Sequence, residues 1–191
     1  MKRLLYLSLA SLFSLAILPA SSGAVSIFTA TIDGLQQPTP VITNASGTAI
    51  LELDDTQTRL EINIQLNGLD LDGLQTPGDA SDDVTLAHIH NAPVGVNGGV
   101  VFGFIGPDSD TTGDLVVDPV AGTIFSAWDL NEGNNTTLAL QLGNLLAGEL
   151  YINIHTTTNP GGEIRGQIVP EPSTLGMLSL GLLVLHRVRR R

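Results

Sequence analysis

Apolar and polar residues alternate along most of the chain. The clearest case is TRLEINIQLNG at 58–68, where Leu60, Ile62, Ile64 and Leu66 fall on one side and Arg59, Glu61, Asn63 and Gln65 on the other. A period of two is that of a β-strand with one buried and one wet face. Segments of the same kind stand at 26–33, 46–53, 84–90, 99–105, 122–128, 136–142, 148–155 and 162–168. Turn-forming pairs such as Asp33-Gly34, Asn67-Gly68, Pro77-Gly78 and Gly106-Pro107 separate them. Between the two ends no apolar pattern of helical period persists, and GNLLAGE at 143–149 amounts to one turn at most. The pattern predicts an all-β fold, an antiparallel β-sandwich or barrel of about eight to nine short strands.

The two ends break this pattern. Lys2 and Arg3 precede an apolar run from Leu4 to Leu18, and Ser22-Gly23-Ala24 supplies small residues for cleavage, so residues 1–24 read as a signal peptide with the mature chain starting at Val25. At the other end, Pro170-Glu171-Pro172 is followed by an apolar stretch from Leu175 to Leu185 and by Arg187, Arg189, Arg190 and Arg191. That stretch is shorter than the roughly 20 residues of a stable membrane span. The arginines favour the cytoplasmic side. Triplet, apolar run and basic cluster in this order resemble the PEP-CTERM sorting signal. The resemblance implies recognition by an exosortase-type membrane enzyme acting near Pro170-Glu171-Pro172. It also implies transient membrane insertion of segment 170–191, and release to the envelope, cell surface or biofilm matrix of a Gram-negative bacterium.

Between the ends, residues 25–169 are enough for one domain. Arg59 and Arg165 are its only basic side chains against eighteen acidic ones, a formal charge of −16. Such a surface repels nucleic acid and anionic headgroups and keeps an exported protein soluble. There is no cysteine, so the fold rests on packing and hydrogen bonds, and any metal is held through nitrogen and oxygen. Two acidic loops, 70–83 and 107–122, are rich in oxygen donors but lack EF-hand spacing, which leaves Ca²⁺ the weaker case among metals.

Several segments within the domain are distinctive in combination: FTATIDGLQQPTPVITNASGTAILEL, INIQLNGL, LAHIHNAPVGVNGGVV and GELYINIHTTTNPGGEIRGQI. In this order they resemble the CHRD domain, named after its repeats in chordin, over about Ile27 to Ile168. The resemblance implies an all-β extracellular module, for which bacterial members generally have no assigned activity. The cysteine-rich modules with which chordin binds growth factors are absent from this sequence, so that activity is not carried over. One departure is Asn91 directly after His90, where glycine is usual.

Strand periodicity places His88 and His90 on the face of Val84 and Leu86, and His155 on the face of Tyr151 and Asn153. If those strands are neighbours, the three imidazoles form a workable set for Zn²⁺ or Cu²⁺, with water in an open position and Glu163, on the wet face of the last strand, as a fourth ligand or an acceptor behind the ligands. The competing role is to donate hydrogen bonds to carbonyls of the 91–99 and 156–162 turns. His-x-His also occurs in copper/zinc superoxide dismutases, but the likeness is one tripeptide long and dismutase activity is not expected. Arg165 shares a face with Glu163 and Gln167, so pairing with a nearby carboxylate is expected, with binding of an acidic sugar as the alternative.

No nucleophile elbow, phosphate loop or His-Glu-x-x-His motif is present. The expectation is an exported, non-enzymatic structural or binding module. One alternative is a metal-binding protein or weak metalloenzyme using the three histidines. Another is an exopolysaccharide-binding module relying on Trp128 and Tyr151, and surface proteins are a further class of partner.

Overall fold

The computed structural model describes residues 24–107 and 112–171. The signal-peptide reading up to Gly23, and the tail from Pro172 with Arg187, Arg189, Arg190 and Arg191, lie outside the described residues. In chain order come β1 (Ser26–Asp33), a 3-10 turn (Gly34–Gln36), β2 (Ser46–Leu53), β3 (Arg59–Asn67), β4 (Val84–Asn91) and β5 (Gly99–Ile105). Then follow β6 (Val116–Asp118), β7 (Thr123–Asp129), α1 (Leu138–Leu146), β8 (Leu150–Thr156) and β9 (Ile164–Pro170).

All nine strands join one antiparallel sheet in the order β5-β4-β8-β9-β1-β2-β3-β7-β6. The sheet curls as a half-barrel, which brings β5 near β7 although seven places separate them in that order. Phe102 of β5 stacks on Trp128 of β7 with ring centroids 5.1 Å apart, and the Asn134 N–H donates to the Val101 carbonyl at 2.8 Å. The inner face carries the apolar residues that alternation predicted: Leu60, Ile62, Ile64 and Leu66 are buried, while Glu61, Asn63 and Gln65 are exposed. Burial of this face, at about 25 cal/mol per Å² of apolar area, is the main stabilising term.

Two expectations change. The segment 136–142, read as a strand from Leu138, Leu140 and Leu142, belongs to α1. There Leu138, Gln141 and Leu145 form the buried stripe at helical spacing, and the Thr137 hydroxyl caps the start by accepting from the Leu140 N–H. The acidic insertion, in turn, contains a short strand, β6, that pairs with β7 and extends the sheet edge.

On β8 and β9 the alternation of wet and dry faces disappears. Every residue of β8 is buried, as are Ile164–Ile168 of β9, because loops fold over the outer face. The face that periodicity predicted to be wet is therefore a second, polar core.

Candidate metal centre

Three adjacent strands, β4, β8 and β9, build this polar core, and their register sets its rows. His90 stands opposite Tyr151, which stands opposite Gln167; His88 stands opposite Asn153, which stands opposite Arg165. Leu86 is opposite His155, and since Ile154 pairs with Ile164, His155 lies beside Glu163. Register shifts between β4 and β5, at Ala87/His88 and at Ile89/His90, interrupt the pairing at both histidines. Such bulges re-aim side chains.

The sequence thus brings His88, His90 and His155 together, all three buried. The ring centroid of His88 is 5.6 Å from that of His90 and 5.5 Å from that of His155, and His90 and His155 are 6.1 Å apart. One ring nitrogen from each lies within 4.8 Å of those of the other two, a spacing from which small rotations bring all three onto one ion.

Hydrogen bonds fix the state of two rings. His90 Nδ1 is 3.0 Å from the Gly98 carbonyl and His155 Nδ1 is 3.0 Å from the Pro160 carbonyl. A carbonyl only accepts, so each Nδ1 carries the proton and each Nε2 presents a lone pair. The Nε2 of His90 is buried with no hydrogen-bond partner, and that of His155 accepts from the Asn153 amide at 3.2 Å. Burial pushes both imidazoles below their ordinary protonation range; the Gly98 carbonyl partly opposes this at His90, and the Pro160 carbonyl does so at His155. Both rings are therefore neutral donors at physiological pH, oriented from behind by backbone carbonyls as metal-binding imidazoles are.

A CHRD domain model matches residues 28–168, most of the chain and the whole of the site. The chain belongs to the CHRD domain family. A PEP-CTERM protein-sorting motif matches residues 169–191, a signal recognised by exosortase that implies export to the cell envelope or surface. Neither the curated proteins nor the solved structures contain a match to this chain.

Around the CHRD histidines the remaining polar side chains are committed. Glu163, expected on a wet face, is buried: Oε1 accepts from the Thr43 hydroxyl at 2.5 Å, and Oε2 from the Thr156 hydroxyl at 2.5 Å and the Asn159 amide at 3.2 Å. It joins the loop at 36–44 to the end of β8 and the loop that follows, and its oxygens are not among the converging ligand atoms. Arg165 takes no carboxylate partner within ion-pair distance among the described residues, which corrects the expected pairing. Its Nη1 donates to the Val96 carbonyl at 2.8 Å and its Nη2 to the Pro93 carbonyl at 3.1 Å, and the guanidinium lies 3.4 Å from the Tyr151 ring centroid. Burial lowers its proton affinity. On the other flank of β8, His90 stacks on the same tyrosine with centroids 4.9 Å apart.

Sequence reasoning missed this role of Arg165, because carbonyls of a loop some seventy residues away leave no signature in the guanidinium's own neighbourhood. The departure at Asn91 also has a partner: its amide donates to Gln141 Oε1 at 3.0 Å and ties β4 to α1.

Other expected sites separate from this one. In the loop at 70–83, Asp70 turns inward. Burial raises its affinity for a proton, but the backbone N–H groups of Thr76, Asp72, Gln75 and Gly73 outweigh that and hold it ionised. Its oxygens thus cap a turn rather than face a cation, which weakens the calcium reading. Trp128 and Tyr151, the aromatics of the polysaccharide reading, are both fully buried and provide no stacking surface. Pro170 ends β9 opposite Phe28, and the Glu171 side chain accepts from the Thr29 hydroxyl at 2.7 Å, so the sorting motif begins on the sheet itself. No helix among the described residues is long and apolar enough to cross a membrane.

Proposed function

We propose that this CHRD protein is a non-enzymatic module of the cell surface or extracellular matrix of a Gram-negative bacterium, delivered by a signal peptide and an exosortase, whose domain holds one transition-metal ion. The carrying observation is the convergence of His88, His90 and His155 from two paired strands, with one ring nitrogen of each within 4.8 Å of the others. Neutral imidazoles with their Nδ1 protons engaged are suited to zinc or copper. The loops at 92–98 and 157–162 bond to His90 and His155 through the Gly98 and Pro160 carbonyls, and all three rings are buried. This favours a structural or storage role over catalysis.

The Nδ1 bonds to Gly98 and Pro160 give the imidazoles a second task, holding those loops even without metal. Elemental analysis of the processed protein recovered from its host tests the reading. About one zinc or copper per chain is expected, the stoichiometry of three imidazoles on one ion, and replacing any one histidine by alanine should abolish it. A protein that neither carries nor takes up metal, yet is destabilised by the same replacements, has histidines that serve only as loop pins.

A further inference from the structure

We infer that the ion held by His88, His90 and His155 is monovalent copper. This rests on the three-histidine reading above and adds the charge and coordination number of the ion. All three grouped ligands are imidazoles, and the chain's two methionines, Met1 and Met177, lie outside the domain. A bound ion therefore receives no charge from its ligands.

Among the described residues, the charged side chains on the same face are Glu163, beside His155, and Arg165, across Asn153 from His88. They are opposite in sign, both buried and both tied into the covering loops, and the positive charge of the guanidinium is felt at His90. The acidic exterior attracts any cation, but that attraction is screened by salt over about 8 Å. What remains is the cost of stripping water from the ion, which grows with the square of its charge. It is about fourfold larger for a dication than for a monocation of similar size.

A dication recovers that cost through anionic ligands or through a fourth ligand, commonly a retained water. The neighbouring polar groups are poorly placed to supply one. Asn153 Oδ1 accepts from the Gln37 amide at 2.7 Å, and the Tyr151 hydroxyl accepts from the Gly98 N–H at 3.0 Å. Both Glu163 oxygens already hold hydroxyl donors. A closed-shell monocation is satisfied by three nitrogen donors alone. At His155, loading requires that the Asn153 amide leave Nε2, and the Gly161 carbonyl, 3.5 Å from Asn153 Nδ2, is at hand to receive it.

The test is an anaerobic titration of the full-length protein with Cu(I) against a chromophoric Cu(I) chelator, a parallel titration with Zn²⁺, and X-ray absorption on the copper complex. One equivalent of Cu(I) with three nitrogen scatterers is expected, remaining silent in electron paramagnetic resonance after exposure to air, with stoichiometric Zn²⁺ failing to displace it. The Asn153→Asp substitution, which puts a carboxylate beside the rings, should strengthen Zn²⁺ binding at least tenfold. Displacement of Cu(I) by one equivalent of Zn²⁺, or a four-coordinate Cu(II) centre with a resonance signal, overturns the inference while leaving the three-histidine site standing. Binding of neither metal overturns the site itself.

Discussion

Two imidazoles of the polar core each perform two tasks with two nitrogens. In His90 and His155, Nδ1 holds a loop carbonyl and Nε2 is left as a donor to whatever occupies the centre. This division has a consequence for pH. Burial depresses both groups, so the unfolded chain binds more protons than the folded one. Metal-free stability is then complete above the unfolded-state value of about 6.5 and is lost as pH falls from there toward the lower folded-state values. Denaturant titrations at a series of pH values should show this decline, and a His90→Asn, His155→Asn double variant should lose it; a stability that rises on acidification contradicts the protonation state assigned. Gly162 offers a second check. It has φ +119°, and a Cβ there would lie 2.5 Å from Asn153 Oδ1 and 2.6 Å from Gln37 Nε2. Gly162→Ala should cost about 2 kcal/mol through strain and displacement of these side chains. Its thermal midpoint should fall accordingly, whereas Gly161→Ala, in open space, should not shift it.

The strands were readable wherever one face is truly wet. In β3 every inward residue is apolar and Glu61, Asn63, Gln65 and Asn67 face solvent, so the period of two survives in the sequence. Ile62→Lys should therefore place a charge in the core and unfold the domain, while Asn63→Lys should stay within about 0.5 kcal/mol of the parent; circular dichroism melts of both variants decide whether the register is right. The same rule failed at 136–142, where Leu138, Leu140 and Leu142 imitate a strand. Only the buried Gln141, bonded to the Asn91 amide, the Thr136 hydroxyl and the Asn144 amide, reveals that the stripe is helical. Thr137→Ala should remove the cap of α1 and cost about 1 kcal/mol, measurable as a shift of the denaturation midpoint. In β8 and β9 the pairing of the histidine strands was legible as a condition, but the cover was not. What hides Arg165 and Glu163 is supplied by loops at 36–44, 92–98 and 157–162, and contacts so distant along the chain leave no local period.

The assembled domain has an apolar core inside the curl and a polar one outside it, with His88, His90, His155, Arg165 and Glu163 concentrated in the second. Its ends are close together: Phe28 pairs with Pro170, and the Glu171 N–H donates to the Ile27 carbonyl at 2.9 Å. Residues 27 and 171 therefore meet at one end of the paired strands β1 and β9, in the middle of the sheet. Removing residues 170–191 takes only the last residue of β9 and should leave a folded domain that is exported but no longer retained or processed at the envelope. Cell fractionation checks this, and a native protein that still carries Arg191 in the membrane contradicts processing. Charge alone, −16 over residues 25–169, made an anionic surface predictable but could not place an ion, because the acids are spread over loops and strands and the converging ligands are neutral. Anomalous diffraction from metal-loaded crystals decides the matter most directly. A single peak within bonding distance of His88, His90 and His155, absent in the His88→Ala variant, is the predicted result. A peak in the acidic loop at 70–83, or none among the three imidazoles, contradicts the account.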